Sequence, residues 1–242
     1  MKNLDTRSPV NYLFLLFALL LWVLLFVLIK VSFIISLVVA VAVAFVIVLM
    51  MVRVSPSNVL RSLGANPASE KHFPRLHNAV EGICVTHGLE KPDLYVIENS
   101  NCNAAAIGDK HSQALILTTG VVDSLDLIEI EGLLAVLIAK CLDKQLHKKT
   151  VEAFFLRIPL FSFFKTGKKY KKDIADADMR ASQLTRYPPG IQSALSRVSE
   201  LGAEIENAPK TTSHLWLVSP TGVEIVETHP PTRERILALE DV

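Results

Sequence analysis

Two uninterrupted apolar runs constrain this chain more than any other feature. Residues 11–29 carry no charge, Lys30 follows, and residues 31–52 again carry none. At a rise of about 1.5 Å per residue, helices over these runs are about 28 and 33 Å long, each enough to cross a hydrocarbon core of about 30 Å. A secretory signal peptide is the competing reading. It fails because the run is too long, lacks a small-residue cleavage site and is followed at once by a second run. The expectation is a transmembrane hairpin (11–29 and 31–52) after a short tail (1–10). Lys2 and Arg7 precede it, Arg53 and Arg61 follow it, and only Lys30 lies between. By the positive-inside rule both termini face the cytoplasm. The inner, cytoplasmic membrane is therefore the expected location, as a multi-pass protein.

The remainder, 53–242, holds 22 basic and 23 acidic residues, a near-neutral stretch long enough for one core. The whole chain is 50% hydrophobic with a net charge of +1, which gives no case for a nucleic-acid partner. Its three cysteines, 84, 102 and 141, fit no metal or redox spacing and suit a reducing compartment. Periodicity predicts a helix over 71–87 stopped by Gly88, a strand over 93–98 after Pro92, and strands over 103–107 and 114–118. One long helix follows over 121–146. Helices over 172–186 and 190–202 are parted by Pro188-Pro189-Gly190. A strand over 214–218 and a closing helix over 231–239 complete the chain. The segment 151–164 is aromatic and apolar but too short to span. It reads either as a buried helix or, the favoured reading, as a wedge at the membrane interface. Lys165, Lys168, Lys169, Lys171 and Lys172 directly follow it and suit an anionic leaflet.

Several pieces, in this order, resemble the membrane-bound zinc metallopeptidases of the HtpX heat-shock type, relatives of the CAAX prenyl proteases. They are Pro92-Asp-Leu-Tyr-Val-Ile-Glu98 with Asn103-Ala-Ala-Ala-Ile-Gly108, then Leu115-Ile-Leu-Thr-Thr-Gly120 and Glu129-Ile-Glu-Gly-Leu-Leu-Ala135. Ala177-Asp178 with Leu184-Thr185 and finally Thr228-His-Pro-Pro-Thr-Arg-Glu-Arg-Ile-Leu-Ala-Leu239 complete the set. The resemblance implies an α+β fold: the two-helix transmembrane hairpin, then a zincin-like (gluzincin), mostly helical domain with a small β-sheet. It implies that Asn103 and Ala104 belong to the edge strand that pairs with an extended substrate.

The same resemblance exposes what is missing. The family carries H-E-x-x-H on its active-site helix. Histidines at i and i+4 bind zinc from one face, and the glutamate serves as base for the zinc-bound water. Here the histidine positions are Val136 and Lys140, the glutamate position is Leu137, and the third ligand's place is Ile174. Valine, leucine and isoleucine offer no lone pair, and a protonated lysine repels a cation. No histidine lies between 111 and 147, so an alignment slip does not restore the motif. The expected reading is a pseudopeptidase with no metal or other cofactor. Its partners would be the lipid bilayer and another membrane protein or an extended polypeptide. The alternative is an active membrane metalloendopeptidase with a relocated metal site. Asp143 and His147, at i and i+4, make a two-ligand face opposed by Lys144, Lys148 and Lys149. Lys140, left on an apolar helix, is expected either to reach solvent or to pair with a carboxylate, best Asp178.

Overall fold

In a computed structural model of the protein, residues 9–28, 30, 32–109, 112–157, 167–206, 208–221 and 228–240 are described. Helix α1 (Pro9–Val23) runs on into a π-helical turn (Leu24–Leu28), and α2 spans Phe33–Ser62. Both are long and apolar enough to cross a membrane. Buried positions recur every four residues along α2 at Ser36, Ala40, Ala44 and Val48, the spacing of one helical face, and α1 is the main partner of α2. The rest of both helices is largely exposed, with Ile34, Val38 and Met50 bare.

The second helix does not end where its apolar run ends. It continues through Arg53 to Ser62, and Val59 and Leu63 belong to the main hydrophobic core. The boundary expected at residue 53 therefore falls inside a continuous helix, and the hairpin is joined to the domain by packing rather than by a linker.

Strand β1 (Asn66–Pro67) and helix α3 (Pro74–His87) come next. Proline opens α3, and Gly88, at φ +62°, closes it with its N–H on the Val85 carbonyl. Strands β2 (Asp93–Ile97), β3 (Ala104–Gly108) and β4 (Gln113–Thr118) complete a sheet of order β1-β2-β4-β3. β2 and β4 are parallel, with Asp93 opposite Ala114. β3 and β4 are antiparallel, with Ala104 opposite Leu117. This leaves β3 at one edge.

The single long helix expected over 121–146 is broken twice. Asp126 starts a new helix because its carboxylate accepts from the Glu129 N–H (2.8 Å) while Glu129 accepts from the Asp126 N–H (3.0 Å), a reciprocal capping box. The chain thus forms α4 (Thr119–Ser124), α5 (Leu127–Cys141) and, after a turn, α6 (Leu146–Phe155). Helix α5 is buried on all sides from Gly132 to Cys141, so it lies at the centre of the domain. It touches β3 and β4 and is flanked by α3, α7 (Gly167–Thr185) and α8 (Pro188–Leu201). Pro188 and Pro189 open α8 rather than precede it, since proline is tolerated in a helix's first turn. The contact of α5 with α8 is backbone-close: a Cβ on Gly132 would stand 2.5 Å from the Gly190 carbonyl.

The strand expected over 214–218 is instead a 3-10 turn (Lys210–Leu215) followed by one bridged pair, Trp216 with Ala105. Helix α9 (Thr232–Ala238) closes the fold against α8.

Candidate functional site

Helix α5 brings Val136, Leu137 and Lys140 to the centre of the domain, and α7 brings Ile174 and Asp178 beside it. Val136 and Leu137 are 0% exposed and Ile174 is 1% exposed. Where the resemblance places three ligands and a base, the structure has packed hydrocarbon and one ammonium. This donor set does not fit zinc, because none of the three aliphatic side chains has a lone pair and the amine is already committed as a donor.

Lys140 is buried at 8% exposure and forms no ion pair with Asp178. Its Nζ donates to the Leu215 carbonyl at 3.1 Å and to the Trp216 carbonyl at 2.5 Å. Burial pushes its pKa down to about 7, helped by the positive charges of Arg235 and Lys149, while the Asp178 carboxylate opposes the fall. Asp178 itself is held by Arg235 of α9, whose Nε and Nη2 reach its two oxygens at 2.7 and 2.8 Å. The charge pair expected between Lys140 and Asp178 is therefore not formed. A bidentate, planar guanidinium is the better partner for a buried carboxylate, and Arg235 keeps a further N–H for the Leu217 carbonyl at 2.7 Å.

Two buried histidines frame the same point. His229 places Nε2 3.3 Å from the Trp216 carbonyl, and burial together with the Lys140 and Arg235 charges pushes its pKa down to about 3. His214 stacks on Tyr170 with ring centres 4.2 Å apart, and burial lowers its pKa to about 4. Both are neutral imidazoles near pH 7. Beside them lies a cleft of about 220 Å³ whose walls include Lys140, Asp143, Lys149, Tyr170, Ile174 and His214. Lys149 bridges Asp143 and Asp173 there, at 2.6 Å each. Asp143 is thereby turned to a lysine, while His147 Nδ1 stands 3.8 Å from Asp109. The two members of the suggested i, i+4 metal face thus have different partners. Among the described residues no three His, Cys, Asp or Glu side chains group as a metal site.

Asn103 and Ala104 do stand at the sheet's edge, but both are fully buried. The chain's own residues 215–218 lie against them. Ala104 accepts from the Leu217 N–H at 2.7 Å. The Asn103 amide donates to the Val218 carbonyl at 3.1 Å and to the Ala203 carbonyl at 2.8 Å. The edge expected to receive a foreign peptide is occupied from within. The residues that do this, Trp216, Leu217 and Arg235, were not singled out from the sequence. For Arg235 a signal existed: Thr232, Arg235 and Leu239 share one helical face and are all buried.

Beside the two long apolar helices, α6 directs Val151, Phe155 and Leu156 onto Leu13 and Val48, with Phe14, Phe17, Met51 and Val52 around them. The first part of the apolar segment 151–164 thus packs on the two long helices. Residues 158–164 and Lys165 lie outside the described residues, as do the side chains of Lys168 and Lys169. Lys171 is partly exposed and Lys172 exposed.

The profile of peptidase family M48 matches residues 70–242. The chain is similar to proteins named "Protease HtpX homolog". That of Dictyoglomus thermophilum is 28% identical, with 75% of this chain and 73% of the relative covered. That of Salinibacter ruber is 29% identical, covering 78% and 81%. That of Acidiphilium cryptum is 30% identical, covering 77% and 80%.

Proposed function

We propose that this chain, which belongs to peptidase family M48 and within it to the HtpX type, is a membrane-tethered pseudopeptidase that serves as a binding, regulatory or structural subunit of a membrane protein assembly or quality-control system. The observation that carries this reading is Lys140. At the second ligand position of the family's motif stands a buried amine that donates to two backbone carbonyls, beside Val136, Leu137 and Ile174 with no donor atoms. Hydrolysis in this family needs a polarised water and a base next to it, and these four side chains supply neither. The alternative, an active metalloendopeptidase with a relocated site, needs three ligands and an open position elsewhere.

In this reading the two apolar helices cross the membrane, with both ends and the peptidase-like domain on the cytoplasmic side, as the lysine and arginine flanks favour. The docking of α6 on Leu13 and Val48 supports the segment 151–164 as a wedge at the cytoplasmic interface, and Lys165, Lys168, Lys169, Lys171 and Lys172 as contacts to anionic headgroups. The bilayer is thus one partner. Another membrane protein is favoured over an extended client as the second, because the edge of β3 is already paired.

Zinc content and proteolysis decide between the two readings. The full chain purified in detergent is expected to hold no stoichiometric zinc and to leave unfolded casein intact, with or without added zinc. Chelator-sensitive cleavage that co-purifies with the chain and vanishes with its depletion would overturn the proposal in favour of the relocated site. A folded Val136→His, Leu137→Glu, Lys140→His, Ile174→Glu variant should bind zinc if α5 and α7 keep the family's spacing.

A further inference from the structure

Residues 215–218 present an unusual pattern. Each of the four consecutive carbonyls is taken by a side chain, and the side chains come from three separate parts of the fold. Leu215 and Trp216 accept from Lys140 of α5, Leu217 accepts from Arg235 of α9, and Val218 accepts from Asn103 at the head of β3. His229 also faces the Trp216 carbonyl. The main-chain contacts to the sheet edge are few: the Leu217 N–H on Ala104 and the bridge of Trp216 with Ala105, which runs antiparallel, while the Trp216 N–H closes the preceding 3-10 turn on the Ser213 carbonyl at 3.1 Å. An extended peptide recognised by strand addition has this form, with main-chain pairing to an edge and side chains of the host on its remaining carbonyls. Leu215, Trp216 and Leu217 are buried to within 1%, so the segment fills the space it lies in.

We propose that residues 215–218 are an internal peptide, bound in cis along the β3 edge where an extended polypeptide would pair, and that Lys140 is the positioning residue that latches it. The proposal rests on the pseudopeptidase reading for the meaning of the edge. It adds that this edge is closed to clients, so a partner must engage another face. The latch stands on geometry: one ammonium spans two successive carbonyls, and the carbonyls cannot turn to water because Trp216 and its neighbours are enclosed. Buried carbonyls without donors are costly, so the segment's place depends on the lysine. The pairing of β3 with β4 is main-chain and does not involve Lys140. The latch and the sheet can therefore be read separately.

Amide hydrogen exchange of the full chain in detergent micelles tests this directly. In the wild type, the amides of Leu217 and of Leu115, Ile116 and Leu117 in β4 should exchange at comparable, slow rates, unchanged by excess unfolded casein. Lys140→Met keeps the volume and removes the donors. It should speed exchange at Leu217 by at least tenfold while the β4 amides hold their rates. Fast exchange at Leu217 in the wild type would overturn the cis-bound peptide. Casein-induced exposure of 215–218 would show an edge open to clients and overturn the closure. An unchanged Leu217 in Lys140→Met would overturn the latch. None of these outcomes depends on zinc or cleavage, so failure here and failure of the pseudopeptidase reading are told apart.

Discussion

Replacing Lys140 by methionine should remove a defined pH dependence of stability. Burial and the neighbouring Arg235 and Lys149 hold the folded-state pKa at about 7 against the ordinary 10.5. In the unfolded chain the lysine keeps its proton up to about pH 10. Between these values the unfolded state binds more protons, so stability rises with pH. The whole fall corresponds to about 5 kcal/mol. Between pH 7 and pH 9 the linkage relation yields about 2 kcal/mol of that. For a chain of this size about 2 kcal/mol moves the melting temperature by about 4–8 °C. The assay is thermal unfolding in micelles followed by tryptophan fluorescence. Trp216, whose carbonyl Lys140 holds, reports on the site itself. Cysteines that ionise on unfolding push the other way above about pH 8.5, but they are common to both proteins. The quantity to compare is wild type minus Lys140→Met. That difference should shift in favour of the wild type by about 4–8 °C from pH 7 to pH 9. Parallel curves would refute the reasoning, because they would mean that Lys140 reaches water and titrates normally.

Gly132→Ala should destabilise, although alanine is the better helix former by about 1 kcal/mol, because its Cβ would stand 2.5 Å from the Gly190 carbonyl. A melting temperature equal to or above wild type would show that α5 and α8 are farther apart. Arg235→Met should cost about 3–5 kcal/mol by leaving the buried Asp178 unpaired, and Arg235→Met with Asp178→Asn should recover part of this, read by the same melts. Removing residues 1–52 cuts α2 inside a continuous helix and strips Leu13 and Val48 from Val151, Phe155 and Leu156. The remainder should need detergent to stay dispersed, and a monodisperse soluble 53–242 by sedimentation would contradict this packing. Exchanging the five lysines between 165 and 172 for glutamate in the full chain should lower the amount of anionic lipid that co-purifies, measured by mass spectrometry of extracted lipid. Equal retention would remove these lysines from the membrane surface.

What depends on local pattern is legible in the residues alone. Charge-free length marks 11–29 and 31–52 as two apolar runs long enough for membrane-spanning helices. Alternation and turn residues locate β2, β3 and β4 to within a residue or two, because a strand's hydrophobic period is written in its own few residues. The order of short motifs sufficed to find the family, and that the side chains of Val136, Leu137 and Ile174 offer no lone pair is visible without coordinates, since a side chain's lone pairs do not depend on the fold. Which distant groups meet follows from the assembled fold. Asp178 had nearby lysine and distant arginine as candidate partners, and bidentate geometry from α9, 57 positions along the chain, gave it to Arg235. Lys140 was then left to backbone carbonyls, which every residue carries and no sequence pattern distinguishes. For the same reason the pairing of 215–218 with Ala104 was not legible: an isolated bridge has no period. The breaks at Asp126 and 142–145, and the continuation of α2 into the core at Val59, likewise follow from caps and packing that compete with propensity. Burial decides that competition, and burial is a property of the assembled chain.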